Sequence, residues 1–314
     1  MPGRSEESAQ STVWLNGAFT TLAATVWLNG AFTTLAEARI SAFDAGFQHG
    51  VGLFETIGAS GGTPRMLEAH LDRLATSARE LGLSSRLRVD PLADAVEATL
   101  ARSGLGEARI RVTVSGGDLN MLSRTGAKPG DPTILIAVQP ATPYPAALFE
   151  RGARVRIADS RLNPLDAFEA HKTLHYWPRL AALQEALSHR CDEALWLSVT
   201  NHLCGGSVSS LVVMRDGKVL APIARGEEPS GGLRSPVLPG VTRAAVLRWA
   251  EEDGLEVERR MLSIEDLLKA DEACLTNSGW GVLPLVAVEA AEIGGGHPGE
   301  RTLGWRARWL RGDD

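Results

Sequence analysis

Lysine is scarce in this chain: the 314 residues contain four lysines against 28 arginines. Where a positive charge is all that is needed, arginine has mostly been used, so each lysine invites the question of what arginine cannot supply. Cysteine is scarcer still. Cys191, Cys204 and Cys274 are odd in number and far apart, which excludes a disulfide framework or a zinc site and fits a reducing compartment. No apolar run is long enough to cross a bilayer. The first eleven residues are polar and charged and lack the apolar region of a signal peptide. The net charge is −6 and the arginines are scattered, which excludes a nucleic-acid footprint. These absences describe a soluble, cytoplasmic chain with no metal, membrane or nucleic-acid partner. What is present is ordinary for a globular protein, 44% apolar and 22% charged residues, and the length suggests two domains.

One stretch is written twice. Thr12–Ala23, TVWLNGAFTTLA, recurs letter for letter at Thr25–Ala36. Each copy is β-prone around Asn-Gly, a hairpin signal. Two copies are too few for a solenoid, so the repeat marks a recent duplication or an artefact of cloning. Only the second copy runs directly into the rest of the chain, so it is expected to hold the structural position. The first is a spare apolar edge, open to pairing on a sheet, exchange between subunits or neither.

Beyond the repeat, the spacing predicts strands at Val51–Ala59, Ile110–Val114 and Thr133–Val138, with helices at Met66–Leu81 and Pro91–Ser103. Ser115–Pro132 is a long Gly-rich loop. Prolines at 140, 143 and 145 mark a linker. Strands follow at Val155–Ala158, Glu193–Ser198, Leu211–Met214 and Val219–Leu220, with helices at Pro178–His189 and Thr242–Asp253. Ser263 starts a further helix with a capping box that uses Asp266. Ala273–Thr276 and Val282–Val288 are expected to close the sheet. The expectation is an α/β (α+β) chain: an N-terminal extension at 1–24, a small domain at 25–138, a linker at 139–145 and a large domain at 146–314.

Lys172 is the lysine that needs a reason. It sits in Phe168-Glu169-Ala170-His171-Lys172-Thr173-Leu174-His175-Tyr176-Trp177, an apolar and aromatic setting by sequence. A desolvated amine loses its proton readily and becomes the group that forms an imine with a carbonyl; the alternative is a snorkelling surface lysine. Three further features suit a phosphate. Leu238-Pro239-Gly240-Val241-Thr242-Arg243 places Pro-Gly before a helix, whose free amides favour an anion. Thr276-Asn277-Ser278-Gly279 ends a strand in small hydroxyl-bearing residues. Arg73, one turn after His70, offers a bidentate guanidinium. Read singly, these are a helix start, a strand end and a surface ion-pair partner. Taken together they describe an aldehyde cofactor with a phosphate tail.

The same residues carry a resemblance. Ile40-Ser41, Asp44-Ala45-Gly46-Phe47, Gly50 to Thr56, His70-Leu71-Asp72-Arg73-Leu74, Lys172 to Tyr176, Asp192-Glu193-Ala194-Leu195, Leu238 to Arg243 and Ala270 through Ser278 occur in this order. The chain resembles the class IV (fold type IV) pyridoxal-phosphate enzymes, the family of branched-chain and D-amino-acid aminotransferases and 4-amino-4-deoxychorismate lyase, over roughly residues 26 to 290. The resemblance implies a two-domain fold, a homodimer and pyridoxal 5'-phosphate as cofactor. It implies that Lys172 forms the imine and moves the Cα proton. It implies that Arg73, the backbone of Val241 and Thr242, and Ser278 hold the phosphate. Tyr176 would contact the phenolic oxygen, and Arg111, on the polar face of its strand, would lie near the substrate carboxylate; its other reading is a solvated strand face.

One position departs from the family. Its Glu-Gly-X-X-Ser-Asn run, whose glutamate pairs with the pyridine nitrogen, reads Cys204-Gly205-Gly206-Ser207-Val208-Ser209-Ser210 here. Gly205 takes the glutamate's place among the cofactor-binding positions and Ser210 the asparagine's. The strand Ala108–Gly116 lacks the tyrosine and proline that flank the arginine in branched-chain enzymes. With Phe54-Glu55-Thr56 and Lys172-Thr173-Leu174, it leans toward the lyase and folate biosynthesis. The expected activity is pyruvate elimination giving 4-aminobenzoate. The alternatives are an aminotransferase that passes an amino group from a small amino acid to 2-oxoglutarate, and a cofactor-binding homologue impaired by Gly205.

Overall fold

The structure is a computed structural model that describes residues 12–15, 18–21, 25–118 and 131–313. Most of the loop expected over Ser115–Pro132, with Lys128, lies outside the described residues. The chain divides into two compact units, Met1–Thr142 and Pro143–Asp314.

The first unit contains β1 (Thr12–Leu15), β2 (Ala18–Thr21), β3 (Thr25–Leu28), β4 (Ala31–Thr34), α1 (Ala45–His49), β5 (Gly52–Ser60), β6 (Thr63–Pro64), α2 (Leu67–Glu80), α3 (Val89–Ser103), β7 (Ala108–Ser115) and β8 (Thr133–Pro140). Six strands form an antiparallel sheet in the order β4-β3-β8-β7-β5-β6. The second copy of the repeat is therefore built into this sheet, whereas β1 and β2 form a two-stranded sheet of their own. Alternation in β7 sends Ile110, Val112 and Val114 into the core, the period-2 pattern of a half-buried strand. Helix α2 brings Leu71, Leu74 and Ala78 to the same core at i, i+3, i+7 spacing. Asp44 caps α1 by accepting from the amides of Gly46 and Phe47, and Gly50 ends it in the left-handed region.

The second unit contains α4 (Ala146–Arg151), β9 (Ala153–Leu162), α5 (Trp177–Ser188), β10 (Glu193–Ser198), β11 (Leu203–Gly206), β12 (Ser210–Arg215), β13 (Lys218–Pro222), α6 (Val241–Glu252), β14 (Glu256–Arg260), α7 (Ile264–Leu268), β15 (Glu272–Asn277), β16 (Gly281–Val288), β17 (Ala291–Glu292) and α8 (Glu300–Arg311). Its mixed sheet runs β11-β10-β9-β16-β15-β12-β13-β14, with β17 beside β16. The expectation that Ala273–Thr276 and Val282–Val288 close the sheet is corrected: β15 and β16 lie in its middle. All eight residues of β16 are buried, as a continuous apolar run demands of an interior strand. Ser263 caps α7 in a full capping box with Asp266.

Candidate functional site

The site builds outward from a short loop between β11 and β12. Glu193, at the start of β10, is fully buried. Its carboxylate accepts from the amides of Ala194, Ser207 and Val208 and from Ser209 Oγ, at 2.9 to 3.2 Å. Burial outweighs these bonds and raises its pKa to about 6. The loop that Glu193 holds passes the order on in two directions. Tyr176 Oη donates to the Ser207 carbonyl at 2.6 Å, and Trp196 Nε1 donates to Ser207 Oγ at 2.9 Å. Asn277 Nδ2 donates to the Val208 carbonyl at 3.2 Å, while Asn277 Oδ1 accepts from the amides of Gly279 and Trp280.

On the Tyr176 side stands Lys172, its Nζ 5.5 Å from the centre of the Tyr176 ring. The aromatic setting expected from the sequence is corrected here. Phe168 and Trp177 are exposed, so of the aromatics in that stretch it is Tyr176 that Lys172 faces. Lys172 itself is half-buried. Tyr176 precedes α5, whose start carries Pro178, so the turn from Lys172 to Tyr176 ends at a rigid helix.

On the Asn277 side stands Ser278. Its hydroxyl lies 3.4 Å from that of Thr242, and Thr242 is buried in the first turn of α6. Val241 begins that helix, Gly240 is its N-cap, and no side chain caps the turn. The Gly240 backbone lies so close to β12 that a Cβ there would sit 2.3 Å from Ser210 Oγ; glycine is what lets the helix start approach the sheet. Ser210 in turn pairs with Thr276 across the β12–β15 ladder. Thr276 Oγ1 is buried with no hydrogen-bond partner among the described residues. A buried hydroxyl left in this state asks for an acceptor.

These donors suit a phosphorylated aldehyde. An uncapped helix start, three hydroxyls and a glycine-tight approach make a place for an anion, and an amine on the same connected strip can meet a carbonyl. Gly205 stands where the resemblance expects the glutamate. Gly205, on β11 opposite Trp196, has φ +124°, and a Cβ there would lie 3.0 Å from the Ser209 carbonyl oxygen. The neighbouring Cys204 is pushed up to about 12 by burial and stays a thiol.

Two expected site residues belong to the first unit. Arg73 donates from Nε and Nη2 to the buried carboxylate of Glu55, at 2.8 and 2.7 Å. His70 Nδ1 is also 2.8 Å from Glu55. Burial opposes the charge on Glu55, but Arg73 and His70 hold its carboxyl well below the usual range. Arg111 stacks its guanidinium 3.5 Å from the centre of the Phe54 ring. The other described lysines are paired on the surface, Lys218 with Glu256 and Lys269 with Glu265. Sequence reasoning assigned no role to Glu193 or Ser207, and read Thr276 and Asn277 only as part of a strand end suited to a phosphate. Glu193 and Asn277 stood inside recognised motifs, but nothing in those motifs says that they meet on one loop.

The family model for class IV amino-transferases matches residues 52–288. A putative branched-chain-amino-acid aminotransferase of Methanocaldococcus jannaschii is 32% identical over 85% of this chain and 88% of its own length. Aminodeoxychorismate lyase of Bacillus subtilis is 28% identical over 82% and 84%. Among solved structures, a T.th. branched-chain amino acid aminotransferase with pyridoxamine 5'-phosphate superimposes with a TM-score of 0.81 at 26% identity, covering 92% of this chain and 93% of that one. The 4-amino-4-deoxychorismate lyase from Pseudomonas aeruginosa reaches 0.75 at 28% identity, covering 91% and 98%. The fold agrees with these likenesses, and the chain belongs to the class IV aminotransferases, a family of pyridoxal-phosphate enzymes.

Proposed function

We propose that this chain uses pyridoxal 5'-phosphate to act at the amino-bearing carbon of a small substrate, and that its reaction is that of 4-amino-4-deoxychorismate lyase. The observation that supports the cofactor is the strip running from Lys172 and Tyr176 through Ser207 and Asn277 to Ser278 and Thr242. When bound, the cofactor supplies an aldehyde for amines and a ring that accepts electrons from carbon. Lys172 engages the aldehyde and holds and moves the proton at Cα. Tyr176, steadied by the Ser207 carbonyl, orients the phenolic oxygen. The amides of Val241 and Thr242, with the Thr242 and Ser278 hydroxyls, bind the phosphate. Arg73 as a further phosphate contact and Arg111 as a carboxylate contact rest on the family resemblance.

Gly205 and the strand Ala108–Gly116 support the lyase branch. A charge-assisted hydrogen bond contributes about 1.5–3 kcal/mol, so losing one at the pyridine nitrogen slows proton removal roughly 10- to 150-fold. Elimination of pyruvate that leaves an aromatic product is strongly downhill and tolerates a weaker electron sink. Cofactor-loaded protein given aminodeoxychorismate should release 4-aminobenzoate and pyruvate in equal amounts; release of neither sinks this reading. The second reading is an aminotransferase acting on a branched-chain or D-amino acid and 2-oxoglutarate, favoured by the Methanocaldococcus relative. It requires that an amino acid alone shift the bound cofactor's absorbance and that a 2-oxo acid reverse the shift. The third reading, a binding protein without turnover, ends with any high wild-type rate. Association as a homodimer rests on the family resemblance. No helix among the described residues is long and apolar enough to cross a membrane.

A further inference from the structure

The described strands of the two copies of TVWLNGAFTTLA pair alike but are placed differently. In the second copy Thr25 pairs with Thr34, Val26 with Thr33, Trp27 with Phe32 and Leu28 with Ala31. In the first copy the register is the same, shifted by 13 residues: Thr12 with Thr21, Val13 with Thr20, Trp14 with Phe19, Leu15 with Ala18. The second hairpin docks on β8. Trp27 and Leu28 pair with Ile136 and Leu135. The Asn29 amide donates to the Ile134 carbonyl at 3.0 Å, and the Ile134 amide donates to Asn29 Oδ1 at 2.7 Å. Val26 is 2% exposed. The first hairpin forms a two-stranded sheet and pairs with no third strand among the described residues. A lone hairpin is marginal in water, so such a segment gains by docking.

We infer that the β8 edge is a docking surface for either copy, and that the segment 12–23 exchanges with the segment 25–36 on it within one chain. Every residue that the second copy places on β8 has an identical counterpart in the first. The flanks distinguish the two. Glu37 accepts from Thr34 Oγ1 at 2.8 Å, whereas the corresponding position after the first copy is Ala24. Docking the first copy also closes residues 24–36 into a loop. Closure falls off as the three-halves power of loop length; lengthening the connection to the Asp44 cap from residues 37–44 to residues 24–44 favours the second copy about 4-fold. The exchange is thus a minor state in the unaltered chain and a reserve when the second copy is damaged.

Full-length variants test this by urea unfolding and by amide exchange at Ile134 and Ile136. Val13→Asp should change neither. Val26→Asp should lower the folding constant by no more than about 4-fold, with β8 amides still protected. Val13→Asp with Val26→Asp should lose far more, and the β8 protection with it. Val26→Asp as damaging as the pair, or the pair as mild as Val26→Asp alone, overturns the inference. A second test leaves both valines in place. Leu15→Cys with Leu135→Cys, held in oxidised glutathione, should form a disulfide within one chain about 4-fold more slowly than Leu28→Cys with Leu135→Cys. No 15–135 bond, or one formed solely between chains, also overturns the inference.

Discussion

Raising the pH from 4 to 7 should weaken the second unit through Glu193. Burial lifts this carboxyl from its ordinary 4.5 to about 6 despite four hydrogen bonds. The folded chain therefore holds a proton between these values that the unfolded chain has released. Stability falls across that window and is lowest above it. A displacement of about 1.5 pH units corresponds to about 2 kcal/mol. Other carboxyls run the opposite way; Glu55 and Asp266 sit below their ordinary values. Comparison with Glu193→Gln cancels their effect. The glutamine does not titrate, and its amide NH2 faces donors such as the Val208 amide, a mismatch of about 1–3 kcal/mol at any pH. Urea unfolding followed by circular dichroism at half-unit steps should show the wild-type advantage shrinking by about 2 kcal/mol between pH 4 and 7. An advantage constant across that range refutes the assignment of a raised buried carboxyl.

Glu55→Gln leaves Arg73 beside a neutral amide and should cost about 3–5 kcal/mol, as breaking a buried pair does; a loss under 1 kcal/mol in thermal unfolding contradicts the pairing. Because the Glu55 carboxyl is lowered, its contribution is present above its ordinary pKa and is lost as the pH falls through the acid range, which Glu55→Gln should abolish. Lys172→Ala should remove the visible absorbance of bound cofactor, and borohydride followed by mass spectrometry should locate the wild-type adduct on residue 172; an adduct elsewhere refutes the role of Lys172. Gly205→Glu should raise turnover roughly 10- to 150-fold while lowering stability by about 1–3 kcal/mol, because φ is +124° there. Lower stability without faster turnover counts against a missing pyridine partner.

Much of the fold was legible along the chain, for reasons visible in particular elements. Helix α2 and strand β7 each bury one regular face, so their periods survive in the residues. The Ser263 capping box is a local motif and formed as read. Helix α8 was missed although Thr302, Trp305 and Trp309 lie on one buried face, because arginines crowd the rest of it. Strand β11 reads Leu-Cys-Gly-Gly and β14 Glu-Val-Glu-Arg-Arg. Neither has strand composition, and each exists because a neighbouring strand supplies its hydrogen bonds.

The amino-acid order by itself singled out Lys172 as the imine candidate, marked the anion-binding character of the Pro239-Gly240 helix start and exposed the glycine where the family has a glutamate. Those are properties of single residues and short motifs, set by side-chain chemistry and backbone freedom. Only the tertiary structure decided that the Ser207–Ser209 loop joins Tyr176 to Asn277, that buried Glu193 holds that loop, and that β8 is the strand on which the second hairpin docks. Such choices depend on contacts between residues distant in the chain, where burial raises the energy of a polar group and a partner many positions away relieves it.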